Sequence, residues 1–313
     1  MSIGANIKKR RFELRKSQQE LADELGYKTR STIAKIESGE NDVSHKKLQK
    51  FAEVLDTSVE QLISGYTLAP QNLEVAAASD VRDNKNIAVI LAGGKTGRNR
   101  QSIPNQFINV QGKPILVYCM EAYQNHPAID DIYIVCLKGW ENIVKAYAKQ
   151  YGITKLKGLI QGGNSGIISL ENAHSYIKKI YNEDDIIVVQ ESTRPMVTGE
   201  TISKLLQACS EKGSATIYYS MNEYVQFNLS GGTAEYVDRN SIIALQSPEA
   251  HSVALLNDIF AKAKATEHPL TESCFTMLLY NLGYNINFVE SAVNNIKITR
   301  EEDFAAFRAM LKE

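Results

Sequence analysis

Residues 91–107 read LAGGKTGRNRQSIPNQF, and the apolar run Ile87-Ala88-Val89-Ile90-Leu91 leads into them. This predicts a β-strand that passes straight into a glycine-rich loop carrying basic residues. Gly93 and Gly94 remove side chains where a phosphate must approach backbone amides. Lys95 and Arg98 add positive charge. The loop is no Walker sequence, because no G-K-[ST] closes it, and it is no G-x-G-x-x-G. Asn105 stands between Pro104 and Gln106, where a lysine would suit a loop that handles phosphate.

Downstream of Asn86 the pattern alternates. Strand-like runs at 87–91, 132–137, 185–190, 215–220 and 286–289 are separated by amphipathic stretches near 114–124, 140–151, 167–181, 199–212 and 250–264. Such alternation implies a parallel or mixed sheet covered by helices, with ligands at the carboxyl ends of the strands. Upstream, residues 3–65 carry no proline and repeat apolar residues at helical spacing. Gly26, Gly39 and Gly65 punctuate helix ends, and Ser17, Ser44 and Ser58 are candidate N-caps. Residues 66–85 hold a proline, small residues and mixed charge without a period, so they are expected to be a linker. The division is therefore 1–65, linker 66–85, and 86–313. The full length of 313 residues suits about two domains at ~100–200 residues each.

The formal net charge of -1 means that no global basic field attracts nucleic acid, so any DNA-binding surface is local. Cys119, Cys136, Cys209 and Cys274 are dispersed, without C-x-x-C, so a zinc site or disulfide framework is not expected. Free thiols in a reducing cytoplasm are the simpler reading. The charged N-terminus lacks the apolar core of a signal peptide, and no later run is long and apolar enough to span a bilayer.

The segment SQQELADELGYKTRSTIAKIESGE, residues 17–40, reads as two helices. Ser17 caps the first, which turns Leu21, Ala22 and Leu25 inward. Gly26 ends it, and a second helix follows after Thr29 or Arg30 with Ile33 and Ile36 inside. The small Ala22 permits close crossing, and Arg30, Ser31, Thr32 and Lys35 remain on the outer face for base edges. Lys8, Lys9, Arg10, Arg11, Arg15, Lys16, Lys28, Arg30 and Lys35 concentrate in the first 35 residues, a cluster suited to phosphate contact. With STIAKIESG and LQKFAEVLDTSVEQLI in order, residues 3–65 resemble the Cro/repressor-type helix-turn-helix family. The resemblance implies double-stranded DNA as partner. It places Gln18 on phosphate and Lys28, Arg30, Ser31, Thr32 and Lys35 at the DNA. The stretch GYKTRST is one residue longer than the usual turn, which could shift the base contacts by one position. A single module of this kind normally works as a homodimer on two half-sites.

The second block carries, in order, AGGKTGRNRQSIPNQF, GKPI, QGGNSGIISLENA, VVQESTRPMVT, VDRNSIIALQSPEA, LTESCF and NNIKITREEDF. Residues 86–313 are thereby similar to the cytidylyltransferases of methylerythritol phosphate and ribitol 5-phosphate, with LTESCF leaning to the ribitol branch. The resemblance implies a Rossmann-like α/β nucleotidyltransferase fold with a mixed, mostly parallel sheet and a dimerisation β-arm near FNLSGGTAEYVDRN. It implies CTP or a CDP-polyol as ligand and Mg²⁺ as cofactor. Arg98 and Lys297 match the cations on the triphosphate. Ala92, Gly93, Gly94, Lys95, Gly163 and Ser169 match the nucleotide-binding segments, and Ser169 the serine at base and ribose. Arg194 and Arg239 match arginines at the acceptor phosphate.

The departures are specific. The lysine at the α-phosphate is Asn105 here. The metal-binding aspartate is Glu191, a second arginine is Gly166, and an acceptor-side aspartate is Glu272. An acceptor-side threonine aligns loosely with Tyr224. Nucleotidyl transfer depends on alignment and positive charge, so these losses weigh against turnover. The expectation is a ligand-sensing transcriptional regulator whose diverged domain binds CTP, a CDP-polyol or a polyol phosphate with weak or no turnover. The alternative is an active cytidylyltransferase, joining CTP to a polyol phosphate and releasing pyrophosphate, with an appended DNA-binding domain.

Overall fold

The structure is a computed structural model that describes residues 3–41, 43–64, 84–94, 103–221, 223, 225–230, 232–291 and 294–311. Its first unit is helical: α1 (Ile3–Glu13), α2 (Gln18–Glu24), α3 (Arg30–Ser38), α4 (His45–Val54) and α5 (Val59–Ser64). Ser17 opens α2 with a reciprocal cap. Its Oγ accepts from the Glu20 N–H at 3.1 Å, and the Glu20 carboxylate accepts from the Ser17 N–H at 2.6 Å. Gly26 leaves α2 at a φ of 75°, a left-handed conformation that glycine adopts without strain. Leu21, Ala22, Ile33 and Ile36 are buried with Ile7, Phe51 and Leu55. Of the expected linker, only residues 84 and 85 lie within the described residues.

The second unit begins with β1 (Asn86–Ala92), then a 3-10 turn at Asn105–Phe107 and the short strands β2 (Asn109–Val110) and β3 (Lys113–Pro114). There follow α6 (Ile115–Gln124), β4 (Asp131–Cys136), α7 (Glu141–Gln150), β5 (Leu156–Gln161), α8 (Gly166–Ile177) and β6 (Ile186–Glu191). Next come α9 (Gly199–Lys212), β7 (Ser214–Ser220), the hairpin β8 (Gln226–Ser230) and β9 (Thr233–Val237), and β10 (Ile243–Ser252). The chain closes with α10 (Val253–Ala265), α11 (Phe275–Asn281), β11 (Phe288–Glu290) and α12 (Glu301–Met310).

Seven strands form one sheet in the order β11-β7-β10-β6-β1-β4-β5. β1 pairs parallel with β4 and β6, β4 with β5, and β11 with β7, while β10 runs antiparallel to β6 and β7. Alternate residues of β1 serve opposite faces. Ala88 and Ile90 pack beside Leu116 and Leu205, whereas Ile87 and Val89 pack beside Leu170 and Leu256. Burial on both faces is why the strand reads as an unbroken apolar run.

Two strands of the seven-stranded sheet escape the periodic reading. β5 (LKGLIQ) is only half-buried, and β10 contains Pro248 and a register irregularity between Leu245 and Glu249. The stretch expected to be helical from 250 is still strand to Ser252, and the helix starts at Val253. α11 and α12 were not foreseen. Both are short, and α12 opens with three consecutive acids that mask its apolar face.

The two units meet. α5 packs against α7, and a cavity of about 220 Å³ lies between Ile3, Ile36 and Leu48 of the first unit and Phe107, Trp140 and Tyr147 of the second. The Phe107 and Trp140 rings stack there with centroids 4.0 Å apart and planes 12° from parallel.

Candidate functional site

β1 and β6 lie side by side, and the order of connection reverses between them: β4 and β5 follow on one side, β10, β7 and β11 on the other. Such a reversal opens a crevice beyond the strands' carboxyl ends, where open α/β sheets bind ligands. A cavity of about 820 Å³ occupies that place. Small-molecule sites run to about 300–1,000 Å³, so the space suits a nucleoside triphosphate.

Glycines let the walls close. A Cβ at Gly162 would stand 3.2 Å from the Gly93 Cα, and one at Gly163 would stand 2.3 Å from Ile168 Cγ2. The Gly163 N–H donates to Ser169 Oγ at 3.0 Å, and that hydroxyl donates to the Ser165 carbonyl at 2.8 Å. Ser165 in turn caps α8, accepting from the Ile168 N–H at 3.1 Å. Ser165, Gly166 and Ser169 line the cavity, so the positive end of a helix borders it. Gln106 fixes the glycine loop from below: its Nε2 donates to the carbonyls of Ala92 and Gly94, each at 2.9 Å.

Asn105 is buried, and its Nδ2 donates to the carbonyls of Ile298 at 3.3 Å and Thr299 at 3.2 Å. The neutral amide ties the 105–107 turn to the carbonyls of residues 298 and 299 and presents no cation. Glu191 ends β6 between two cations. Lys297 Nζ donates to its Oε1 and Arg194 Nε to its Oε2, the latter at 2.9 Å. Arg194 is itself held by the Asn295 carbonyl at 2.9 Å. Burial pushes the Glu191 carboxyl up, but Lys297 and Arg194 outweigh it and hold the group below the ordinary glutamate value. A Mg²⁺ that keeps its waters and phosphate ligands needs only one or two carboxylates. Glu191 is the carboxylate at the cavity wall that could serve such an ion, and both its oxygens are engaged by Lys297 and Arg194 here.

Of the nucleotide-site expectations, Gly93, Gly94, Asn105, Gly163, Ser169, Glu191 and Lys297 come together around this cavity. Ala92 is buried at the end of β1 and takes part through its carbonyl. Lys95, Arg98 and Tyr224 lie outside the described residues. Arg194 lines a second cavity of about 360 Å³, which shares Leu91, Gly166, Glu191 and Lys297 with the first. Arg239 is exposed in a 3-10 turn and lines neither cavity within this chain. Glu272 is not brought there either: its Oε1 meets His268 Nε2 at 3.0 Å and Asn281 Nδ2 at 3.1 Å. A Cβ on Gly166 would meet nothing within 4 Å.

Gln106, Arg300 and Asp303 line the cavity without having been singled out. Arg300 and Asp303 lie within the quoted NNIKITREEDF, so the signal was present. Asp303 Oδ2 accepts from the Thr299 and Arg300 N–H groups at 2.8 and 2.7 Å and so orders the start of α12.

In the helical unit, Lys28, Arg30, Ser31 and Lys35 are exposed and Thr32 is half-buried. α3 thus offers one polar face while Ile33 and Ile36 hold the other inside. The basic cluster is smaller than its sequence suggests. Arg11 is buried in a bidentate pair with Glu37 at 2.6 and 2.9 Å, and Lys16 and Arg10 pair with Glu24 and Glu13. Gln18 Nε2 also donates to Glu37 Oε2 at 2.8 Å, which anchors the first turn of α2 to the end of α3.

Comparison with known proteins gives two family matches. One is to the 2-C-methyl-D-erythritol 4-phosphate cytidylyltransferase family over residues 86–313, the other to the helix-turn-helix family over residues 7–62. The ribitol-5-phosphate cytidylyltransferase of Lacticaseibacillus paracasei is 33% identical over 228 residues, covering 72% of this chain and 97% of the relative. That of Streptococcus agalactiae serotype Ia is 31% identical over 230 residues, covering 72% and 95%. The crystal structure of 4-diphosphocytidyl-2C-methyl-D-erythritol synthase from Anaerococcus prevotii superposes with a TM-score of 0.62 at 19% identity, covering 74% of this chain and 99% of that one.

Proposed function

Through residues 86–313 this chain belongs to the 2-C-methyl-D-erythritol 4-phosphate cytidylyltransferase family, with a helix-turn-helix unit ahead of that domain, and from this premise we propose that it is a ligand-sensing DNA-binding regulator. The ligand is CTP, with Mg²⁺, or a CDP-polyol, and turnover is weak or absent. The names of the two curated relatives support a polyol phosphate as the acceptor-side ligand.

The observation that carries this reading is the 3-10 turn at Asn105–Phe107. Asn105 and Gln106 line the nucleotide cavity, and the next residue, Phe107, stacks on Trp140 at the junction with the helical unit. One turn therefore borders both the ligand and the surface on which the DNA reader rests. A ligand that moves the turn has different contacts in two arrangements, which is what coupling requires. Asn105 in place of a cation and the open space at Gly166 support binding over chemistry, since one missing transition-state donor costs about 10²–10³ in rate. The exposed Phe227, Leu229 and Tyr236 on the β8–β9 hairpin support a homodimer through that arm.

Trp140 is the single tryptophan of the chain and reports on the junction directly. Titration with CTP and Mg²⁺ is expected to shift its emission saturably, with pyrophosphate release from CTP and ribitol 5-phosphate near background. Unchanged emission with no nucleotide binding by calorimetry would overturn the proposal. The second reading, an active transferase, has its own support: the two cavities meet at Glu191 and Lys297, as donor and acceptor must. Rapid pyrophosphate release that is lost in Arg98→Ala would favour it, whereas release appearing only in Asn105→Lys would favour the sensor.

A further inference from the structure

The second cavity holds a charged side chain that no expectation covered. Glu249 lies on β10 opposite Val189 of β6, two residues back from Glu191. At 3.2–3.4 Å per residue, this puts it roughly 6–7 Å deeper than the meeting point of the two cavities. It is buried and lines the cavity. Its Oε2 accepts from the Thr276 N–H at 3.1 Å and from the Thr276 hydroxyl at 2.7 Å. The Thr276 hydroxyl is therefore a donor to Glu249 and accepts from Thr216 Oγ1, 2.7 Å away. Behind them the fully buried His251 ring packs edge-on to Phe275, with centroids 4.6 Å apart. This chain of fixed groups aims the carboxylate. No donor among the described residues reaches Oε1, which leaves that oxygen to the cavity.

We propose that Glu249 recognises the uncharged, hydroxyl-bearing end of the acceptor-side ligand and excludes ligands that carry an anionic group at that end. The inference rests on the reading that this cavity takes a polyol phosphate. The ligand's phosphate belongs at the mouth, where Lys297 and Arg194 supply positive charge and the nucleotide cavity begins. The carbon chain then descends past Thr216 and Thr276, and its last hydroxyl donates to Glu249 Oε1. A carboxylate at that position would meet the like charge of a buried side chain, a juxtaposition that costs affinity heavily. A neutral hydroxyl gains a charge-assisted bond instead.

The test is calorimetric titration of the full chain, with CTP and Mg²⁺ present, using ribitol 5-phosphate and the matching aldonate, 5-phosphoribonate. Wild type is expected to favour ribitol 5-phosphate by at least about 10-fold. Glu249→Gln is expected to weaken ribitol 5-phosphate and strengthen 5-phosphoribonate, so that the preference collapses while CTP affinity stays unchanged. A purely structural role would weaken both ligands together. Equal binding of the two by wild type overturns the inference whether or not the variant folds, as does an unchanged preference in the variant. If neither ligand binds a wild type that still binds CTP, the polyol-phosphate reading itself is removed.

Discussion

Lys297→Met separates ligand binding from folding at one side chain. Lys297 Nζ is bonded to Glu191 Oε1 and borders both cavities. Its side chain is 42% exposed and that of Glu191 34%, so their pair is partly screened, and loss of such a pair costs about 0–1 kcal/mol. Arg194 still holds the other oxygen of Glu191, so the carboxylate is not left alone. Methionine keeps the length of the stem. The effect on a triphosphate is larger, because a hydrogen bond to a charged group contributes about 1.5–3 kcal/mol. That predicts CTP binding weaker by roughly 10- to 150-fold, with a melting temperature within a few degrees of wild type. Calorimetry with CTP and Mg²⁺, run beside differential scanning fluorimetry, measures both. An unchanged CTP affinity would refute the placement of the triphosphate against Lys297. A large loss of melting temperature would show that the ion pair is structural.

Other expectations follow from the same geometry. Glu37→Ala leaves Arg11 buried without its partner and frees Gln18, so the helical unit should lose about 3–5 kcal/mol by denaturant titration; a loss below about 1 kcal/mol would mean that the pair acts like a surface one. Arg30→Ala should weaken binding to a selected duplex by about 1–3 kcal/mol if it reads a base, and an unchanged gel-shift titration would remove it from the interface. The pH dependence has a defined sign. The Glu191 carboxyl is held below its ordinary value in the fold, so its contribution is full above the unfolded pKa and is lost as pH falls through the lowered folded one. The stability difference between wild type and Glu191→Gln should therefore be flat from pH 7 to about pH 5 and close in more acid solution; a difference that grows on acidification would contradict the assignment.

What could be read from the sequence divides by range. The caps and turns of the helical unit are local, so Ser17, Gly26 and the inward Ile33 and Ile36 are found as expected. β1 and β6, buried on both faces, announce themselves as unbroken apolar runs. β5 and β10 do not, because the one is half-buried and the other carries a proline and an irregular register. In the site, the glycine loop stands out by its composition, whereas Glu191 and Lys297 are singled out through the family resemblance; all three line the same cavity. The partner of each was not legible. Nothing local shows that Asn105 turns to the carbonyls of Ile298 and Thr299, or that Arg11 folds inward to Glu37. Glu249 is the clearest case: its meaning depends on Thr276 and Thr216, brought from two other elements.

Under the proposed function, the nucleotide cavity and the DNA reader are coupled through the turn that ends in Phe107. The direct measurement is the affinity of the full chain for a duplex selected from a random library, by fluorescence anisotropy, with and without saturating CTP and Mg²⁺. A coupling of about 1–3 kcal/mol predicts a change of roughly 5- to 150-fold, reduced in Phe107→Ala while CTP affinity is kept. An affinity for DNA that CTP leaves untouched, in a protein that binds both, would contradict it.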